Sequence, residues 1–377
     1  MSHQLLCCGD ATDLATWSNI PFFLLQAGQS RGVLSSGLVL RPERLRWHRR
    51  LWNLQQWLRT GRPGGFQYSN WFLRSLWRQA RLVPASEGQP FRLLSHYPLL
   101  PPFPCPKDWE VSFYIDATTR QVFDDYGAGS RIAPALQQAV LRREQFAYAA
   151  AKAVVTMSGW AAESVCRDYG IDPSRVHVVP GGANLDEQAL AAFPAASPPP
   201  APSAQTPLRL GFLGKDWQRK GGPFVLSLAE ALHSIGIPAV VRAIGPSVAD
   251  LPKHPLLQSL GFINKRTEMP AFTRELRSWH FGTLFSHTEA YGISNRECLR
   301  LGVPVLANSI GGIPSTFTGM GYGKLFAEKV DVEDVVTWIQ AQVSTYDRYL
   351  TMRQQLAAHS WDFTWDASAL QLQEILG

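Results

Sequence analysis

Two glutamates, Glu289 and Glu297, stand with seven residues between them in the stretch Ser286-His-Thr-Glu-Ala-Tyr-Gly-Ile-Ser-Asn-Arg-Glu297. A carboxylate accepts two hydrogen bonds side by side, so it suits the vicinal hydroxyls of a ribose or a hexose. Glu289 falls in a glycine-containing loop and Glu297 in the first turn of an expected helix. The amides of Gly292, Ile293, Ser294 and Asn295 would then lie at a helix N-terminus, ready for an anion. Ser294-x-x-Glu297 also has the form of a capping box, in which both side chains serve only the helix end. Upstream, Gly214-Lys-Asp-Trp-Gln-Arg-Lys-Gly-Gly222 follows a short apolar strand and opens a helix. Its glycines let the backbone approach a ligand closely, and Lys215, Arg219 and Lys220 put three cations in six residues. That combination suits a phosphate cradle; a solvated turn shaped by its glycines is the plainer alternative. No Gly-Lys-Ser/Thr occurs, which excludes a Walker loop. No Gly-x-Gly-x-x-Gly follows the first strand of either half, which weakens a dinucleotide dehydrogenase.

Such loops need a frame of strands. In the second half, strands are expected at Leu208–Leu213, Ala239–Ile244, Leu260–Ile263, Phe281–Phe285 and Val303–Ala307. They alternate with helices at Pro223–Ile235, Pro270–Ser278 and Asn295–Leu301. The first half offers strands at Gln4–Cys8, Arg92–Ser95, Val111–Ile115, Ala153–Met157 and Val176–Val179, with helices at Pro21–Ala27, Pro134–Ala151 and Ala161–Tyr169. Alternating elements predict parallel sheets covered by helices on both faces, with ligands bound at the carboxyl ends of the strands. A chain of 377 residues makes about two such domains. The run Phe193-Pro-Ala-Ala-Ser-Pro-Pro-Pro-Ala-Pro-Ser203 suits a linker between them. With 45% hydrophobic and 18% charged residues, a disordered chain is excluded. No apolar run approaches the roughly 20 residues a bilayer demands. The N-terminus shows no signal segment, so a cytoplasmic location is expected. Five cysteines without Cys-x-x-Cys spacing support neither a disulfide framework nor a zinc knuckle.

The paired glutamates resemble the mark of glycosyltransferase family 4, within the GT-B fold. Leu301-Gly-Val-Pro-Val-Leu-Ala307, Gly311-Gly-Ile-Pro314, Lys220-Gly221, Val178-Val-Pro-Gly-Gly182 and Phe363-Thr-Trp365 carry the likeness further. The resemblance implies an α/β protein of two Rossmann-like parallel-sheet domains facing across a cleft. These would be an acceptor-side domain over 1–185, a linker over 186–206 and a nucleotide-sugar domain over 207–360, with a C-terminal helix over 361–377 crossing back. It implies a retaining hexosyltransferase whose donor is a nucleoside diphosphate sugar, with no cofactor and no obligatory metal. Glu289 would hold the transferred sugar, Glu297 the ribose diol, and Lys215, Arg219 and Lys220 the leaving diphosphate. Gly292, Ile293 and Ser294 would line the donor site. Ser315 and Cys298 depart from residues common in the family. Asp10 to Pro21 resembles the loop that closes over the diphosphate, with Ser18 and Asn19 nearest. On the acceptor side, Asp116 after Val111–Ile115 is the first candidate and His96 after Arg92–Ser95 the second; a helix cap or a satisfied loop residue is the plainer reading of either.

The net charge of +6 points to an anionic partner. Ten arginines and five tryptophans lie between Arg41 and Arg81, against the single acid Glu43. Trp47, Leu51, Leu54 and Leu58 form one helical face, expected as core packing, with Trp52 on the opposite, basic face. A basic, tryptophan-bearing face suits an anionic membrane, where a lipid-linked acceptor would be found, and a peripheral location on its inner face. A solvated basic face is the plain alternative. A sugar-nucleotide binder without turnover and a nucleic-acid-binding protein are the rival functions. The intact glutamates argue against the first, and nucleic acid is the less expected partner.

Overall fold

The computed structural model describes residues 2–83, 88–191, 197–317 and 321–377. The chain divides into two compact units, one of residues 1–180 with 368–377 and one of residues 181–367.

Unit 1 holds strands β1 (His3–Leu6), β2 (Leu34–Gly37), β3 (Phe91–Ser95), β4 (Trp109–Ile115), β5 (Val154–Thr156) and β6 (Val176–Val178). They form a parallel sheet in the order β2-β1-β3-β4-β5-β6. The connections are helices α1 (Ile20–Ser30), α2 (Arg46–Thr60), α3 (Asn70–Trp77), α4 (Thr119–Asp124), α5 (Pro134–Ala150) and α6 (Gly159–Tyr169). The inner strands are apolar runs because helices cover both faces: Leu5, Leu93, Leu94 and Val154 are wholly buried. Local chemistry sets the helix ends. Ser158 accepts the Ala161 amide to start α6, which stops at Gly170 in the left-handed region (φ 68°).

Helix α2 corrects the sequence reading. The face expected in the core is the exposed one: Trp47, Leu51, Leu54 and Leu58 are 72, 70, 55 and 72% accessible. Trp52, expected outside, is half-buried and packs edge-on against Phe66, with ring centroids 5.9 Å apart. Helical spacing identifies residues that share a face, but not which face the rest of the chain covers.

Unit 2 holds α7 (Glu187–Ala191), β7 (Leu208–Leu213), α8 (Gly222–Ser234), β8 (Ala239–Ile244), β9 (Leu257–Gly261), α9 (Met269–Arg277), β10 (Phe281–Leu284), α10 (Ile293–Arg300), β11 (Val305–Asn308), β12 (Gly323–Phe326), α11 (Val332–Val343) and α12 (Tyr346–Ala358). Its sheet is also parallel, in the order β12-β11-β10-β7-β8-β9. Residues 186–206, expected as linker, contain α7, and 192–196 of them lie outside the described residues. The last helix, α13 (Trp365–Leu376), begins in unit 2, and its residues from Ser368 onward group with unit 1.

Each sheet has one point where the chain reverses its direction of winding. In unit 1 the strand β1 has β2 on one side and β3 on the other. In unit 2 the strand β7 lies between β8 and β10. At such a point the loops after the two strands diverge to opposite faces and leave a crevice at their carboxyl ends. The loops that leave β7 and β10 are those of Gly214–Gly221 and Phe285–Gly292.

Candidate active site

The loop after β7 is fastened from below. Trp217 is buried against Phe212, with ring centroids 4.8 Å apart, and Gly222 lies over its indole. Gly221 begins α8 with φ 75°, and a Cβ there would stand 1.9 Å from the Phe285 carbonyl oxygen. Only glycine lets the loop approach β10 so closely. The His287 amide then donates to the Arg219 carbonyl at 2.8 Å, joining the two loops.

This joint brings Arg219, Lys220 and Glu289 together. Lys220 Nζ donates to Glu289 Oε2 at 2.7 Å and Arg219 Nη1 at 3.3 Å. Arg219 is itself held by the Thr288 carbonyl at 2.7 Å and by the Asp216 carboxylate. The Glu289 backbone is fixed from the other side, where its carbonyl accepts the Gly312 amide at 3.1 Å. Gly311, at φ 53°, would bring a Cβ to 2.0 Å from that same oxygen. Burial favours the neutral acid at Glu289, but the Lys220 and Arg219 charges outweigh it and hold the carboxyl below its ordinary range. Lys215 does not join this cluster; it is exposed, with its ammonium over the Phe262 ring at 5.7 Å.

Glu297 has a different environment. Helix α10 starts from Gly292, at φ 94°, and has no side-chain cap. The capping box offered by Ser294-x-x-Glu297 is therefore not formed. Ser294 lies inside the helix with its buried Oγ unpartnered, while Glu297 bonds to Lys265. Ile293 and Ser294 occupy the first turn, where amides have no intrahelical acceptor. Glu297 is 1% exposed, and burial pushes its carboxyl up despite Lys265. Arg296 is equally buried. It donates to the Asp362 carbonyl at 2.7 Å and lies over the Phe363 ring, pinning α10 in place. Neither Lys265 nor Arg296 stands out in the sequence. Lys265 falls in the polar turn Asn264-Lys-Arg-Thr267, which reads as solvated, and nothing local marks its pairing 32 residues on.

In unit 1 the crevice between β1 and β3 gathers Trp17, Ser18, Asn19 and His96. Trp17, Ser18 and Asn19 have φ of 42°, 55° and 70°. Three successive non-glycine residues in the left-handed region is a costly arrangement, at roughly 1–3 kcal/mol each, of the kind that clusters at ligand sites. The Trp17 indole donates to the Cys8 carbonyl at 3.0 Å and meets His96 edge-on at 5.8 Å. His96 is buried, its Nδ1 against the Tyr114 carbonyl at 2.5 Å and its Nε2 unpartnered. Asp116 stands half-buried after β4, one strand further out.

The family model described as Glycosyltransferase Family 4 matches residues 28–187. Among curated proteins, the D-inositol 3-phosphate glycosyltransferase of Xylanimonas cellulosilytica is 28% identical over 64% of this chain and 60% of its own length. That of Streptomyces scabiei is 30% identical over 63% of this chain and 56% of its own. The chain thus spans little more than half the length of the curated relatives it matches. Among solved structures, the sucrose-phosphate synthase of Thermosynechococcus elongatus superposes with a TM-score of 0.61 at 14% identity, covering 99% of this chain and 98% of that one. The lipopolysaccharide outer core galactosyltransferase WaaB gives 0.60 at 9% identity, over 100% and 99% of the two chains. The HepE protein of Anabaena, crystallised with UDP-glucose, gives 0.53 at 13% identity over 81% of each. With two parallel sheets of this topology and these superpositions, the chain has the GT-B fold, and over residues 28–187 it is similar to glycosyltransferase family 4.

Proposed function

We propose that this chain transfers a sugar from a nucleoside diphosphate sugar to an acceptor, with retention of anomeric configuration. The observation that carries the reading is the cluster of Lys220 and Arg219 on Glu289 at the reversal point of the unit 2 sheet. Departure of a nucleoside diphosphate needs preorganised positive charge where the leaving group's charge develops. An arriving diphosphate competes with Glu289 for Lys220 and Arg219, and the carboxylate it releases is free to hold the hydroxyls of the sugar. The first-turn amides of α10 and the unpartnered Ser294 hydroxyl supply further donors. Glu297 takes the ribose diol, and Lys215 swings from Phe262 to the outer phosphate. On unit 1, Asp116 or His96 serves the acceptor. The cations do the work a metal would do, so none is required. A relative named D-inositol 3-phosphate glycosyltransferase supports glycosyl transfer, and a neighbour crystallised with UDP-glucose supports a nucleotide-sugar donor.

A panel of nucleotide sugars tests the reading. The matching donor raises the unfolding temperature by mass action and is slowly hydrolysed to the nucleoside diphosphate. A panel that gives neither effect, with any base or sugar, overturns it. Binding without hydrolysis or transfer would instead identify a sugar-nucleotide binder. Enzyme treated with a chelator should keep its rate; complete loss restored by manganese would contradict the metal-free site. Lys220→Ala should weaken binding of the free nucleoside diphosphate roughly 10- to 150-fold, the range for a charge-assisted hydrogen bond, and leave nucleoside binding nearly unchanged. Equal losses for both ligands would make Lys220 a residue of the fold alone.

A further inference from the structure

Helix α2 is amphipathic in the inverted sense. It meets unit 1 through Trp52, Asn53 and Gln56, which lie about 180° around the helix from its apolar stripe. Trp47, Leu51, Leu54 and Leu58, at spacings of four, three and four, face solvent along its length. None of its 15 residues is fully buried. A soluble protein seldom leaves so continuous an apolar strip uncovered, so something is expected to cover it.

The charges around the stripe identify the cover. The helix carries Arg46, Arg49, Arg50 and Arg59 and no acidic residue. The Arg50 guanidinium lies over the Trp47 ring at 4.6 Å, which puts a cation and an interfacial aromatic side by side at the stripe's edge. Beyond that edge, a cavity of about 650 Å³ is lined by Arg49, Arg50 and Arg131 and by no acid. A second copy of the chain would set these arginines against their own kind. A nucleic acid could take Trp47 and the arginines but would leave Leu51, Leu54 and Leu58 in water. A bilayer with anionic headgroups satisfies both features, since acyl chains take the stripe and headgroup phosphates take the arginines. Among the described residues no helix is long and apolar enough to cross a membrane, so the contact is one of lying on the surface.

We propose that α2 docks this protein on an anionic lipid bilayer through the stripe of Trp47, Leu51, Leu54 and Leu58, with its flanking arginines on the lipid phosphates. Trp52, the residue the sequence placed outermost, is no part of the contact. Sedimentation of the full chain with vesicles tests this, comparing phosphatidylcholine alone with phosphatidylcholine containing phosphatidylglycerol. The anionic vesicles should bind the chain at least tenfold more strongly at low salt, since each cation near such a surface contributes about fivefold. Binding should fall in high salt. The variant Leu51→Ser/Leu54→Ser/Leu58→Ser should partition at least tenfold less onto the same vesicles, because its apolar contribution is gone. Its thermal unfolding should be unchanged, since the three side chains are already exposed. Arg46→Glu/Arg50→Glu should abolish the preference for anionic lipid. Equal binding to both vesicle types, or a serine variant that binds like the wild type, would overturn the proposal. So would a dimer that the serine variant dissociates, which would assign the stripe to a second copy. A preference for DNA over anionic vesicles, unaffected by the serine variant, would assign the arginines to nucleic acid.

Discussion

Glu289→Gln should lower turnover by about two to three orders of magnitude, the cost typical of removing one preorganised electrostatic group from a transition state. The substitution keeps size and most hydrogen bonding and removes only the charge. In the resting protein that charge is balanced by Lys220 at 2.7 Å and Arg219 at 3.3 Å. On the proposed function, donor binding would release it toward the sugar, where positive character would develop as the diphosphate leaves. Affinity for the nucleoside diphosphate should hold or rise slightly, because Lys220 and Arg219 no longer need to be taken from a carboxylate. The split between rate and affinity is the diagnostic: a loss of nucleotide affinity with the rate intact would mean that Glu289 only anchors the loop. The pH dependence has a definite sign. The Glu289 carboxyl is held below its ordinary range in the fold. Its contribution to stability is therefore present above the unfolded carboxylate value, and is lost only as pH falls through the lower folded one. No loss of rate between pH 7 and pH 5 should trace to this residue.

The inner strands were legible because they are short apolar runs between turn residues. β7 and β8 lie at Leu208–Leu213 and Ala239–Ile244, as their composition suggests. The edges were not. β2, of sequence Leu34-Ser-Ser-Gly37, and β12, of sequence Gly323-Lys-Leu-Phe326, went unseen, and β9 lies three residues before its expected place. An edge strand pairs on one side and is often partly exposed, so its sequence need not be apolar; its existence is decided by the neighbour it joins. The same limit applies to the site. Glu289 and Lys220 declare themselves by sitting in glycine-bounded loops after strands. The meeting of Arg219 with Glu289 follows from sheet order, which joins β7 to β10 across 67 intervening residues. Ser294 and Glu297 match a local capping pattern, yet a tertiary partner, Lys265, takes Glu297 and leaves the pattern unused. Helix α2 shows the limit most plainly: its periodicity identifies the apolar stripe, and only packing against the rest of unit 1 decides which face is covered.

Lys265→Met should destabilise unit 2 by about 3–5 kcal/mol near neutral pH, the range for removing one partner of a buried ion pair. Lys265 is 15% exposed at its side chain and Glu297 only 2%, so water cannot replace the lost cation. Methionine keeps the length of the stem, which confines the effect to charge. Burial already raises the Glu297 carboxyl in the fold, and loss of Lys265 raises it further. A carboxyl whose folded value lies above its unfolded one weakens the fold at high pH, and ceases to do so once pH falls below the unfolded value of about 4. The deficit of the variant should therefore be full at pH 8 and shrink steadily toward pH 4. Adding Glu297→Gln should recover most of it at pH 8, because a neutral amide needs no cation. A double variant no more stable than the single one would deny that the pair is coupled. The variant also tests the ribose contact. With Lys265 gone, the diol of a bound nucleotide would give Glu297 hydrogen bonds it otherwise lacks. The matching nucleoside diphosphate should then raise the unfolding temperature more in Lys265→Met than in the wild type. An equal or smaller rise would leave Glu297 as a buried structural partner of Lys265 and move the ribose elsewhere.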